Sequence, residues 1–275
     1  MVCYICITCG TQYPPAERPP VVCPICGDPR QYVNPAGQSW IAPTALARTH
    51  ANAVRLLEPD LFSITTTPGF AIGQRAILVR STKGNVLWDC LSLLDPATEE
   101  LVRAIGGLAA IAISHPHYYG AMVDWAAAFG CPIHLHAADR QWVMRSSPAV
   151  RFWEETALPL ASSLTLIHCG GHFAGGTVLH WAEGAGGEGA LLSGDILQVL
   201  PDRRHVSFMR SYPNLWPVSA PAVRRIAVAL EGFPFATIYG AFDGREIETG
   251  GKAALAASVE RYLAAIMGDG SAECA

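Results

Sequence analysis

The sequence predicts an α/β fold, a sandwich with sheets inside and helices outside, behind a small cysteine-bearing module. Past residue 38, short β-rich runs alternate with helical stretches. Some neighbouring runs are joined by tight turns and others by helices, so hairpins and βα units mix. The first 35 residues instead hold two cysteine pairs, a proline-rich middle (Pro14, Pro15, Pro19, Pro20) and almost no periodicity. The turn-rich stretch from Asn34 to Gln38 reads as a linker, which sets the expected units at 1–38 and 39–275.

Each element has its own signal. Gln31-Tyr-Val33 reads as a short strand closing the small module. Leu61–Thr66, Gln74–Arg80 and Val86–Cys90 read as strands, the last after a Lys83-Gly-Asn85 turn. Asp95 followed by Pro96 and early glutamates starts a helix, with the carboxylate as its cap. Ala109–Ile113 is a buried strand, Ala121–Phe129 a helix, Pro132–His136 a strand and Ala138–Met144 helical. Strands follow at Leu164–Ile167, Thr177–Trp181 and Ala190–Leu192. The glycine-rich stretch Glu183–Gly189 reads as a hairpin turn, since no helix follows to make it a phosphate cradle. Helices Ala220–Leu230 and Ala253–Met267 flank a strand at Ala236–Tyr239.

Bulk properties narrow the class. The 275 residues suit one large domain or one plus a small extra. They are 51% hydrophobic and 15% charged, against about 25% charged in ordinary domains, which excludes a disordered chain. A net charge of −4 gives no general attraction to nucleic acid or an anionic membrane. No apolar run reaches the roughly 18 residues of a spanning helix. Nor does the start carry a charged segment followed by an apolar one, so no secretory signal is read. A cytoplasmic protein is expected. Nine cysteines fit a reducing compartment, where close pairs serve as metal ligands rather than disulfides. Cys3, Cys90, Cys131, Cys169 and Cys274 read as small hydrophobes.

Cys6-Ile-Thr-Cys9-Gly and Cys23-Pro-Ile-Cys26-Gly, separated by 13 residues, predict a tetrahedral four-thiolate site. Each pair forms a turn, and the trailing glycine lets the backbone fold close to sulfur. So short a segment needs its ion for stability. From Tyr4 through Tyr13 and on to Cys26, the pattern resembles a rubredoxin-like domain of the rubrerythrin type. That resemblance implies iron and electron transfer; a structural zinc knuckle bracing the main domain is the other reading.

Ile111-Ala-Ile-Ser-His115-Pro-His117-Tyr-Tyr-Gly120 ends a buried strand with two imidazoles that can converge on one ion. Cys169-Gly-Gly-His172-Phe-Ala-Gly-Gly176 sets a third imidazole in a loop between strands, and Leu191-Leu-Ser-Gly-Asp195 puts a carboxylate after another strand. In this order the donors resemble the αββα metallo-β-lactamase fold hydrolases. The resemblance implies that His115, His117 and His172 hold the first metal with Asp195 beside it. It also implies that Asp89, at a strand end, orients a ligand histidine. The family loop reads His-x-His-x-Asp-His, whereas Tyr119 and Gly120 stand at its last two positions here, and the family's last histidine is absent from the stretch Ile238–Arg245. With three second-metal ligands missing, one active-site ion is expected, zinc first and iron as the alternative.

A zinc-activated water then implies a hydrolase acting on an ester, thioester, phosphoester or amide-type small molecule. Asp195 is the expected base. Tyr118 and Tyr119 are expected to assist the leaving group or hold substrate, being better donors than bases near pH 7. His136, at the end of its strand, is a further residue within reach of the ion. Arg210 and Tyr212, in an aromatic segment after Asp195, are expected substrate contacts. Low surface charge with exposed tryptophan would suit a homodimer. Two other readings stand beside this one. A 2-His-1-carboxylate iron site fed by the rubredoxin-like module would make an oxidoreductase or dioxygenase; a degenerate site would leave a metal-stabilised scaffold.

Overall fold

The computed structural model describes residues 1–268, so Cys274 lies outside them. It divides into two compact units, the first Met1–Glu154 and the second from Glu155 onward.

The first unit carries two sheets. The small one has the order Gln12–Ala16, Val2–Cys6, Trp40–Ile41, all antiparallel. The expected strand at Gln31–Val33 does not form. Asp28 turns the chain there instead, its side chain accepting from the Arg30 amide at 2.9 Å and its carbonyl from that of Gln31 at 2.9 Å. These local bonds satisfy amides that a strand would have used, and Trp40–Ile41 takes the sheet edge.

The large sheet has seven strands, in the order Val150–Trp153, Ile133–His136, Ala110–Ala112, Val86–Trp88, Arg75–Val79, Leu61–Thr67, Ala51–Glu58. From Ala51 to Trp88 the pairs are antiparallel and joined by short loops. From Val86 to Trp153 they are parallel, because helices or helical turns make the crossovers that parallel pairing demands. The first crossover, Pro96–Ala104, begins as expected, with Asp95 Oδ1 accepting from the Thr98 amide at 2.8 Å. Met122–Phe129 stops at Gly130, whose φ of 66° ends the helix. The carboxyl ends of the parallel strands deliver Asp89, His115 and His136, the usual place for function in such sheets.

The second unit holds a six-stranded sheet, in the order Ala157–Ala161, Leu164–His168, Thr177–Trp181, Ala190–Gly194, Thr237–Gly240, Glu246–Ile247. Glu183–Gly189 links two antiparallel strands, as read from the sequence. Ala190–Gly194 and Thr237–Gly240 run parallel, and the helix Ala220–Ala229 lies between them in the chain. Val223, Ile226 and Leu230 are fully buried in one core with Phe208, Ile238 and Leu255 of the long helix Gly251–Met267. Burying each such side chain contributes about 1.5–3 kcal/mol.

Candidate metal centres

Two groups of metal-ligating side chains stand out among the described residues. Within each, one ligand atom per residue lies within 4.8 Å of all the others: Cys6, Cys9, Cys23 and Cys26 in one; His115, His117, His172 and Asp195 in the second.

The cysteine turns close as their glycines allow. The Gly10 amide donates to the Cys6 carbonyl at 2.8 Å and the Gly27 amide to that of Cys23 at 3.0 Å. Cys6 and Cys26 place their sulfurs 3.5 Å apart, and Cys9 and Cys23 theirs 3.6 Å apart. Disulfide sulfurs lie at about 2.05 Å. The edges of a tetrahedron with 2.3 Å metal–sulfur bonds are about 3.8 Å, so the donor set fits an S₄ ion. Further donors face the sulfurs: Tyr13 Oη to Cys23 Sγ and Gln38 Nε2 to Cys6 Sγ, both at 3.1 Å. The crowded thiols split in acidity. Hydrogen bonding by Cys26, Cys6 and Cys9 drives Cys23 far down, while contact with Cys23 drives Cys9 and Cys26 far up. Four thiolates therefore need a cation in their midst. The cysteines expected as small hydrophobes contrast with these. Cys90, Cys131 and Cys169 are buried, and desolvation pushes their thiols up, Cys169 to about 12 and Cys131 to about 11.

In the histidine loop, Ala110–Ala112 ends, His115 continues extended and Pro116–Tyr118 forms a 3₁₀ turn. The His115 and His117 rings lie 5.2 Å apart, and both residues are buried. Asp89, with φ of 60°, accepts at Oδ1 from the Ser114 amide at 2.8 Å and from Ser114 Oγ at 2.7 Å. Ser114 Oγ also lies 2.8 Å from His115 Nδ1. Its single proton goes to the carboxylate, so His115 Nδ1–H must be the donor in the second contact. The lone pair of the His115 ring therefore sits on Nε2. Asp89 thus reaches His115 through Ser114, a residue sequence reasoning missed; its signal was its place directly before His115.

The His172 loop is equally constrained. The amides of Cys169 and Gly170 both donate to the Gly176 carbonyl, at 2.8 and 2.9 Å. A Cβ at Gly176 would sit 2.5 Å from the Gly170 carbonyl oxygen, so the loop closes only on glycine. His172 Nδ1 lies 2.9 Å from the Met209 carbonyl; a carbonyl can only accept, so Nδ1 carries the ring proton and Nε2 the lone pair. Asp195 is buried directly after Ala190–Gly194.

The remaining candidates have defined surroundings. The Tyr212 hydroxyl shares its proton between the carbonyls of Asp195 and Ser207, both at 3.1 Å, and its ring lies 5.7 Å from that of His172. Burial holds this hydroxyl protonated, so Tyr212 braces the backbone of Asp195. Arg210 stacks over Trp216 at 4.9 Å. The Tyr118 ring packs edge-on against His115 at 4.3 Å. Tyr119 lines a small cavity with Thr11, Gln12, Met144 and Arg145, and desolvation and then Asp139 push its hydroxyl pKa well up. His136 packs against Trp153 at 4.7 Å and accepts from the Ala138 amide at 3.3 Å.

A profile described as the metallo-beta-lactamase superfamily matches residues 71–241. An uncharacterized protein YmaE of Bacillus subtilis (strain 168) is 44% identical over 266 residues, covering 96% of each chain. Among solved structures, DIM-1 metallo-beta-lactamase superposes with a TM-score of 0.59 at 15% identity, covering 78% of this chain and 98% of that one. VMB-1 gives the same TM-score at 10% identity, with 78% and 98% covered. These two likenesses concern the fold. Among the described residues no helix is long and apolar enough to cross a membrane.

Proposed function

This chain belongs to the metallo-β-lactamase superfamily, and from that premise we propose that it is a metal-dependent hydrolase of a small molecule, with one ion held by His115, His117, His172 and Asp195. The observation that carries the reading is the gathering of these four donors within 4.8 Å. Three neutral imidazoles and a carboxylate suit zinc, and also iron. A zinc ion in such a set lowers the pKa of its water to about 7 and polarises a carbonyl or phosphoryl oxygen. The substrate class is an ester, thioester, phosphoester or amide.

The chain's own groups have separable tasks. The ring protons on Nδ1 of His115 and His172 are held by Ser114 and by the Met209 carbonyl, which aims both Nε2 atoms. Asp195 is the base through the carboxylate oxygen that does not bind the ion, its backbone held by Tyr212. Tyr118, beside His115, is the proton donor to the leaving group. Tyr119, buried against Thr11 and Gln12, packs the loop rather than reaching substrate. Arg210 and the exposed Trp216 offer a cation and a ring to substrate. The four cysteines hold a second ion, zinc or iron, in a rubredoxin-like knuckle, and the protein works in the cytoplasm.

The test is turnover of a panel covering those four bond types, with wild type, His115→Ala and Asp195→Ala. Turnover lost in both variants while the four-cysteine ion stays bound supports the reading. Wild-type turnover in His115→Ala contradicts it, and an iron-dependent oxidation in place of hydrolysis would replace it.

A further inference from the structure

The turn bearing Cys6 and Cys9 does not stop at its ion. The Cys6 amide donates to the Thr11 carbonyl at 3.0 Å, so the chain leaving Cys9 is folded back onto the turn. It then presents Gly10, Thr11 and Gln12, all buried. Gly10 accepts from Ser92 Oγ at 2.7 Å, and a Cβ there would lie 2.5 Å from that oxygen. The Gln12 amide donates to the Gly120 carbonyl at 3.0 Å. The Gln12 side chain donates to Asp124 Oδ2 at 2.6 Å, and Arg145 bonds both Asp124 and Gln12.

These partners belong to the loop that carries His115 and His117, or to its supports. Gly120 is three residues beyond His117, at φ of 48°, and a Cβ on it would lie 2.6 Å from the Leu91 carbonyl oxygen. The same carbonyl accepts from the Ala121 amide at 2.9 Å, and the Cys90 amide donates to Tyr118 at 3.2 Å. Tyr119 faces Thr11 and Gln12 across their small cavity. The two positions where the family loop carries its second-metal ligands therefore both face the cysteine module.

We propose that Gln12 is a positioning residue for the imidazole site, passing the order imposed by the four-cysteine ion to the loop 115–120. The proposal rests on the reading that both groups hold ions; its test includes a readout that needs no ion at the imidazoles. The cysteine site is loaded with cadmium alone, and amide hydrogen exchange is followed in wild type and in Gln12→Ala/Ser92→Ala.

With the thiolate-to-cadmium charge-transfer band unchanged, the amides of Tyr119, Ala121 and Met122 are expected to exchange about tenfold faster or more in the double variant. Those of the helix Ala220–Ala229 are expected to keep their rates. Zinc affinity at the imidazole site, measured by competition with a chromophoric chelator, falls roughly 10–100-fold. The swap Gln12→Glu/Asp124→Asn exchanges acceptor and donor at constant charge and restores slow exchange. Unchanged exchange in the double variant, or acceleration spread equally over the helix Ala220–Ala229, overturns the proposal. If wild type binds no zinc at the imidazoles, the metal reading fails, while the exchange result still decides the coupling.

Discussion

The two ligand groups are built in opposite ways. The four cysteines come from two turns between Cys6 and Cys26, and every donor is sulfur. The second group draws donors from positions as far apart as His115 and Asp195, mixes nitrogen with oxygen, and orients two of its three histidines by named partners: Ser114 and Asp89 for His115, Met209 for His172. An all-thiolate tetrahedron is the closed arrangement of a structural site, and three imidazoles with a carboxylate can leave a position open. On the proposed reading, the first group would make its fold by binding, whereas the second would be made by the fold.

The largest expected effect breaks that contrast or confirms it. Cys23→Ala/Cys26→Ala removes an ion whose binding in short thiolate modules is worth about 10–16 kcal/mol. Thermal melting should show the first unit destabilised by several kcal/mol. His115→Ala, compared as apoprotein, should melt within a few degrees of wild type. Equal losses from both would erase the distinction.

Gly120→Ala comes next. It must hold a left-handed backbone and push a methyl against the Leu91 carbonyl, so urea titration should show a loss of about 1–3 kcal/mol. Ser114→Ala should leave stability nearer wild type yet weaken zinc at the imidazoles by roughly 10–100-fold, since it cuts Asp89 from His115. An unchanged zinc affinity would remove the relay from the account.

The smallest effect is on acid stability. Burial lowers the pKa of His134 and of His180, so the unfolded chain binds protons there that the folded chain does not. Their contribution is present above about pH 6.5, the unfolded value, and is lost as pH falls from there toward the folded values. His180→Gln should flatten that part of the stability–pH curve of the metal-free protein, read by urea titration at several pH values.

What could be read from the sequence follows the same contrast. The cysteine spacing announced its site because the donors are neighbours. The histidines and Asp195 were legible through their order and their places after apolar strands, which locate strand ends without needing coordinates. Asp89 was named through the family resemblance at a strand end, and Ser114, whose place directly before His115 was its signal, went unread because a serine hydroxyl carries no periodicity. Ala51–Glu58 was missed since it is an edge strand, largely exposed and polar at Asn52 and Arg55, without the apolar alternation that marks a strand. The module's grip on the histidine loop was equally hidden. It runs through the backbone groups of Gly10, Gln12 and Gly120 and through the side chains of Gln12 and Ser92, and hydrogen bonds between distant segments leave no residue pattern.

One ion in each group is checked by elemental analysis of the purified 275-residue chain. Two ions per chain are expected in wild type, one in His115→Ala and one in Cys23→Ala/Cys26→Ala. Three ions in wild type, or two lost on changing His115 alone, would contradict it.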